Sequence, residues 1–319
     1  MKQLLLYVLL GALVLGTVSC KKERISLLVT EQTSPTDAKL RDVTFTDSDN
    51  GFIVGGDKFD HGELLTTSDG GITWTSDTLA DKRLNTICFR PSDQKGFIAG
   101  FDSYFLHKDP GASFWSFRNL SGGDEVHGMA FNDTHGVAVG GGGFRFGVIY
   151  HFSDDEGNTD TIAMPLDNEL RAVTFIEEET VIAVGYGLIL RSTDGGINWT
   201  PNPIDGDFFY AVSFPASQIG YVVGVYGMIL KTEDGGLTWN KLRKARTIGS
   251  GSQFRDVFFV SADKGYIAGD RGLLWITDDG ADSWKIVDNL PGIDFNAVWS
   301  DGQNGFLVGS EGKIFQFTE

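Results

Sequence analysis

The chain has 319 residues, with 43 acidic side chains against 26 basic ones and a formal net charge of −17. A surface this acidic repels phosphate backbones, which argues against a nucleic-acid partner. Of its two cysteines one closes the N-terminal leader, so the exported part can form no internal disulfide and must be held by its core.

The leader, "MKQLLLYVLLGALVLGTVSC", places one Lys before a short apolar run and small residues before Cys20. It reads as a secretory signal over residues 1–19, because a membrane span needs about 20 apolar residues. A cysteine at this place resembles the bacterial lipobox, with Thr17 where that pattern most often has Leu, and the resemblance implies lipid on Cys20. Residues 20–39 then read as lipid anchor, linker and closing strand, and residues 40–319 as a β-propeller. The expected location is the bacterial cell envelope, lipid-anchored, on either leaflet of the outer membrane.

From residue 40 the chain repeats. Runs rich in β-branched and aromatic residues open at "LRDVTF" (40), "LNTICF" (84), "VHGMAF" (126), "LRAVTF" (170), "FYAVSF" (209), "FRDVFF" (254) and "FNAVWS" (295). Between them stand the phrases "TSDGGITW" (67–74), "STDGGINW" (192–199), "KTEDGGLTW" (231–239) and "TDDGADSW" (277–284). With "KDPGASFW" and "SDDEGNTD" as degenerate copies, phrases starting at 68, 108, 153, 192, 232 and 277 are 40, 45, 39, 40 and 45 residues apart. Each unit holds four short strand patterns and none has helical spacing. The fold expected is all-β: a seven-bladed β-propeller of four-stranded antiparallel blades. Six or eight blades conflict with the count of inner strands. The seventh unit stops before its outer strand, so "ISLLVT" at 25–30 is expected to complete the last blade and close the ring.

The phrases read as scaffold. Asp69, Asp194, Asp234 and Asp279 begin turns whose backbone N–H groups they can accept, and the glycines after them permit positive φ. Trp74, Trp199, Trp239 and Trp284 bury apolar area against a neighbouring strand. Cys88, in "LNTICF", reads as a small buried hydrophobe.

The S-x-D-G-G-x-T-W phrase resembles the Asp-box of bacterial neuraminidase repeats. The longer units "RAVTF…VIAVGYGLILRSTDGGINW", "AVSF…GYVVG…GMILKTEDGGLTW" and "RDVFF…KGYIAGDRGLLWITDDG" are similar to the photosystem II stability/assembly factor family of seven-bladed propellers. The similarity runs over 40–319 and is weakest over 84–165. It implies the fold and, for function, the binding of a protein intermediate.

In such a propeller a site is expected on the face opposite the phrases. Register places Arg41, Asn85, His127, Arg171, Tyr210, Arg255 and Asn296, which open the inner strands, around the channel mouth. Three arginines there suggest an anion site for a carboxylate, a phosphate or an acidic side chain; the plainer reading is that they cap strand ends. Turns between second and third strands supply a rim: Phe59, Tyr104, Phe144, Arg145, Tyr186, Tyr226 and Arg271, an exposed aromatic and cationic set that suits a protein partner. "DKFDH" (57–61) reads as a solvated turn rather than a metal site, and no cofactor motif is found: "GGGG" (140–143) precedes no helix and no G-x-S-x-G occurs.

The expected function is therefore a non-catalytic, lipid-anchored scaffold or assembly factor for an exported or membrane protein. The alternative is a glycan-binding or glycan-cleaving surface lipoprotein, a sialidase-like or other glycoside hydrolase. A sialidase would use three Arg, a Tyr nucleophile with a Glu, and an Asp. Arg41, Arg171, Arg255, Tyr210 and Glu169 offer parts of that set, but the Arg-Ile-Pro signature is absent.

Overall fold

The computed structural model describes residues 23–120, 122–152, 159–243 and 253–319. The leader and Cys20 lie outside the described residues, as do residues 153–158 of the degenerate phrase. All regular elements described are strands, apart from three short 3-10 turns.

The first unit sets the pattern. Leu40–Phe45, Gly51–Gly56, Gly62–Thr67 and Thr75–Ala80 pair in that order, each antiparallel to the one before. Residues 84–119 and 126–166 repeat it. Residues 170–243 form one six-stranded sheet, in which Thr200–Ser213 pairs with the preceding strand through 200–208 and with the following one through 209–213. The inner strand expected to open at 209 is therefore continuous with the outer strand before it. The Asp205-Gly206 turn signal does not break the strand; the extra residues fall between the Pro203 and Phe208 pairings, where the register with the preceding strand is irregular.

The N-terminal segment differs from expectation too. It makes two strands, not one. Glu23–Ile25 lies parallel on Lys285–Val287 as a fifth strand of that sheet, and Leu28–Gln32 pairs antiparallel with Ile314–Thr318 in the last sheet. The break falls at Ser26 and Leu27, which are held sideways: Ser26 Oγ donates to Asp288 Oδ1 at 3.1 Å, and Asn289 Nδ2 donates to the Leu27 carbonyl at 2.8 Å.

Each first strand is bulged at its second residue. The pairing register skips Arg41, Asn85, His127, Arg171, Tyr210, Arg255 and Asn296 in turn. A bulge bends its strand and re-aims the extra side chain. The bend also drives the carbonyl just before the strand onto the end of the second strand. A Cβ placed on Gly55, Gly100, Gly140, Gly185, Gly224, Gly269 or Gly309 would stand 1.9–2.4 Å from that carbonyl oxygen. The next amide then bonds the same oxygen, as Tyr186 N does to Glu169 O at 2.9 Å. Glycine at these seven places is the complement of the bulge.

The core lies between sheets. Phe45, Phe131 and Phe259 end first strands and stack on Phe306, Phe97 and Tyr221 of another unit, at centroid separations of 4.8, 3.7 and 3.8 Å, and Phe89, which ends one too, packs tilted on Phe52 at 4.6 Å. Each of the four rings lies over the glycine that begins its own second strand, Gly51, Gly96, Gly136 or Gly265. Buried aliphatics from neighbouring sheets fill the rest, such as Val137 and Val139 against Leu170 and Leu188. Each such side chain contributes about 1.5–3 kcal/mol on burial, so cohesion is spread over every sheet-to-sheet contact.

The bulge–glycine fit is testable by substitution. Gly185→Ala forces a Cβ to 2.0 Å from the Glu169 carbonyl and is expected to cost about 2–3 kcal/mol in urea unfolding. Gly142→Ala, with nothing within 4 Å, should stay within about 0.5 kcal/mol of the parent.

Candidate functional site

The seven bulged residues converge. Arg41, Asn85, His127, Arg171, Tyr210, Arg255 and Asn296 all line one cavity of about 260 Å³, with Lys39, Asp42 and Asp256 among its other walls. The bulge is what points them there.

Most of these side chains are already engaged. The partners are mostly acids that stand just before the inner strands or just after the second strands; of these the sequence singled out Glu169, but not Glu125, Asp270 or Asp294. Glu125 takes Arg83 and accepts Asn85 Nδ2 at 2.9 Å. Glu169 takes Arg171, accepts Phe144 N at 3.0 Å, and lies 2.9 Å from His127 Nε2, off the line of a hydrogen bond. Arg255 pairs with Asp270 and approaches Asp294 at 3.6 Å. Tyr210 donates to Gln253 Oε1 at 3.1 Å, and Asn296 Nδ2 to the Leu40 carbonyl at 2.6 Å. The ring expected to be cationic is thus largely neutralised from within. The signal that could have revealed this is register: Glu125, Glu169 and Asp294 each immediately precede a first strand.

Arg41 is different. Among the described residues it makes no ion pair, and its Nε is buried without a hydrogen-bond partner. Burial, then the neighbouring Arg83, pulls its guanidinium down to about 10. Burial and the charge of Arg41 likewise pull Lys39 down to about 8. One sector of the mouth therefore carries cationic groups held without a paired acid.

Below the mouth sit two half-buried carboxylates. Asp42 accepts Val43 N at 2.8 Å and Ile87 N at 2.9 Å; Asp256 accepts Val257 N at 2.8 Å and Val298 N at 2.9 Å. Each ties its own first strand to that of the next unit. Burial pushes Asp42 up to about 6 and Asp256 up to about 7.

The rim is partly as expected. Phe59, Phe144, Arg145, Tyr186 and Arg271 are exposed. Tyr104 is not free: it is half-buried, packed at a tilt on Phe117 at 4.3 Å and donating to the Leu79 carbonyl at 3.4 Å. Tyr226 is half-buried as well, in a left-handed turn position. Phe144, Tyr186, Phe208 and Tyr210 form a run of ring contacts of 5.0–6.2 Å, with the Arg171 guanidinium 5.3 Å from Phe208. Away from the mouth, His61 bridges Asp60 at 3.1 Å and Glu63 at 3.3 Å in the "DKFDH" turn.

The phrases occupy the other end of the sheets. Asp69 accepts Thr73 N at 2.9 Å, Thr73 Oγ1 at 2.6 Å and Thr67 Oγ1 at 2.7 Å. The hydroxyl that aligns with Ser192, Thr232 and Thr277 is thus Thr67, so the first phrase starts at 67 rather than 68. The Thr73 and Thr238 bonds hold Asp69 and Asp234 down to about 2. Trp74 and Trp199 are buried and donate to Gly71 and Gly196 carbonyls; Trp239 and Trp284 are only half-buried. Cys88 is half-buried, and burial pushes its thiol up.

A family model described as Photosynthesis system II assembly factor YCF48 matches residues 26–130, 152–247 and 203–319. The Photosystem II assembly lipoprotein Ycf48 of Synechococcus sp. (strain CC9902) is 30% identical over 123 residues, which is 35% of this chain and 34% of that protein. The match thus spans about a third of that relative's length. Among solved structures, YCF48 bound to D1 peptide superposes with a TM-score of 0.72 at 19% identity, over 93% of this chain and 99% of that one. The WD40 beta propeller domain of Doa1 gives 0.66 at 15% identity, over 91% and 97%. These likenesses show the fold, an all-β propeller.

The carboxylates give stability two opposed pH dependences. Asp42 and Asp256 have folded values above those of the unfolded chain, so their contribution is full below about pH 4 and is lost as pH rises through about 6 and 7. Asp69 and Asp234 have depressed values, so theirs is present above about pH 4 and lost as pH falls through about 2. Thermal melts followed by circular dichroism should peak near pH 4–5 and decline toward pH 8, with a flatter decline in Asp256→Asn.

Proposed function

This chain belongs to the Photosynthesis system II assembly factor YCF48 family, and from that premise we propose that it is a non-catalytic, lipid-anchored propeller that grips a segment of an exported or membrane protein and supports its assembly or stability. The propeller proposed has seven blades over residues 40–319. Leu28–Gln32 completes the last one, a reading supported by its pairing with Ile314–Thr318. Residues 20–39 serve as lipid anchor, linker and closing strand, in the bacterial cell envelope.

The observation that carries the reading is the Arg41 sector. A guanidinium left without an acid, beside Lys39, in a cavity otherwise internally neutralised, is free to take an acidic group from outside. Elsewhere on the rim, exposed Phe59, and Phe144 and Tyr186 on the Arg171 side, offer apolar anchors for the rest of the segment. Arg145 and Arg271 extend the cationic rim, with Tyr104 and Tyr226 contributing through their rings. A relative with a bound D1 peptide and a relative named as an assembly lipoprotein point the same way. Arg171 and Arg255 act mainly on their own acids, holding the mouth in shape.

Cross-linked capture from native membranes, with products identified by mass spectrometry, tests this directly. The parent protein should enrich one exported or membrane protein that Arg41→Glu loses at least tenfold, while the melting temperature of the variant stays close to the parent's. Equal enrichment by both forms would sink the reading.

A further inference from the structure

The two N-terminal strands enter the fold from one end. Glu23 is the register partner of Lys285, which directly follows the phrase 277–284, and Lys285 Nζ lies 2.7 Å from Asp278 Oδ2 of that phrase. Leu28 is the partner of Thr318, at the end of the last sheet where other units carry their phrase. The phrases are bonded to the turns between first and second strands: Gly70 N to Asp49 O, Gly195 N to Glu179 O and Gly280 N to Asp263 O, each at 2.9 Å. These turns share one face, opposite the bulges. Three peptide steps separate Cys20 from Glu23, a reach of at most about 11 Å, so an anchor on Cys20 must lie near that face.

The same face carries apolar side chains that the turns do not need. Ile72 is 69% exposed, Ile197 49% and Leu237 62%, all at the position after the second glycine, and Phe114 in the degenerate phrase is 73% exposed. Leu28, beside the entry point, is 71% exposed. A lipid at one end of the chain tethers the protein without fixing which face meets the bilayer, and exposed apolar side chains beside the tether would fix that face.

We propose that the phrase face is seated against the bilayer carrying the Cys20 lipid, with Ile72, Phe114, Ile197 and Leu237 in the headgroup layer, and that the channel mouth is thereby turned away from that membrane. This rests on the anchoring read in the leader. The occupant of the face is a zwitterionic lipid surface, because exposed Glu233, Asp278 and Asp282 stand among the apolar tips and would repel anionic headgroups.

The test uses the mature chain coupled through Cys20 to a maleimide lipid in phosphatidylcholine vesicles; the raised thiol of Cys88 keeps it unreactive. Amide exchange is compared with the same chain coupled to a soluble maleimide. Vesicle attachment should slow exchange several-fold at 70–74, 195–199 and 235–239 and leave 57–61, 142–146 and 270–272 unchanged. The slowing should shrink in an Ile72→Ser/Leu237→Ser variant and on phosphatidylglycerol vesicles. Slowing at the 57–61 and 142–146 turns instead, or at neither set, would overturn the orientation. The mass of the N-terminal peptide from cells tests lipid attachment separately, so failure of the anchoring reading is distinguishable from failure of the orientation.

Discussion

The molecule depends on one backbone event repeated in every unit: an extra residue in the first strand. The bulge leaves one side chain unpaired and aims it into the central cavity, and it presses the carbonyl before the strand onto a glycine at the end of the second. Scaffold and site therefore share a cause. The residues that could recognise a ligand are the same ones that the sheet pairing leaves out.

That origin explains the chemistry of the mouth. Side chains forced into a common cavity by the backbone must be neutralised, or their burial costs several kcal/mol per charge. Glu125, Glu169, Asp270 and Asp294 perform this for Arg83, Arg171 and Arg255. Arg41 lacks such a partner, and that asymmetry gives the ring a direction. Beneath it, Asp42 and Asp256 join first strands across unit boundaries, so the floor of the cavity is also a seam of the fold.

Much of this was legible in the sequence because it is local. The phrases encode their turns through Asp, hydroxyl and glycine at fixed spacing, and the seven inner strands announce themselves by composition. Even the bulged set could be read, since Arg41, Asn85 and their equivalents hold one register position. What escaped was long-range. Glu169 stands two residues from its partner Arg171, but Glu125 and Asp294 reach Arg83 and Arg255 of the neighbouring unit, and nothing in the spacing of "DEVHGMAF" says that Glu125 will reach Arg83. The split of the N-terminal segment depends on Asp288 and Asn289, far off in the chain. Tyr104 looked exposed because its partner, Phe117, sits on the next strand.

The most direct test of a binding mouth built from bulges is a crystal structure of the protein with the partner segment recovered by cross-linking. An acidic group of the segment should lie within hydrogen-bond distance of the Arg41 guanidinium, with an apolar side chain against Phe144 and Tyr186. A segment lying instead along a sheet edge or across the phrase face would contradict the assignment of function to the bulged ring.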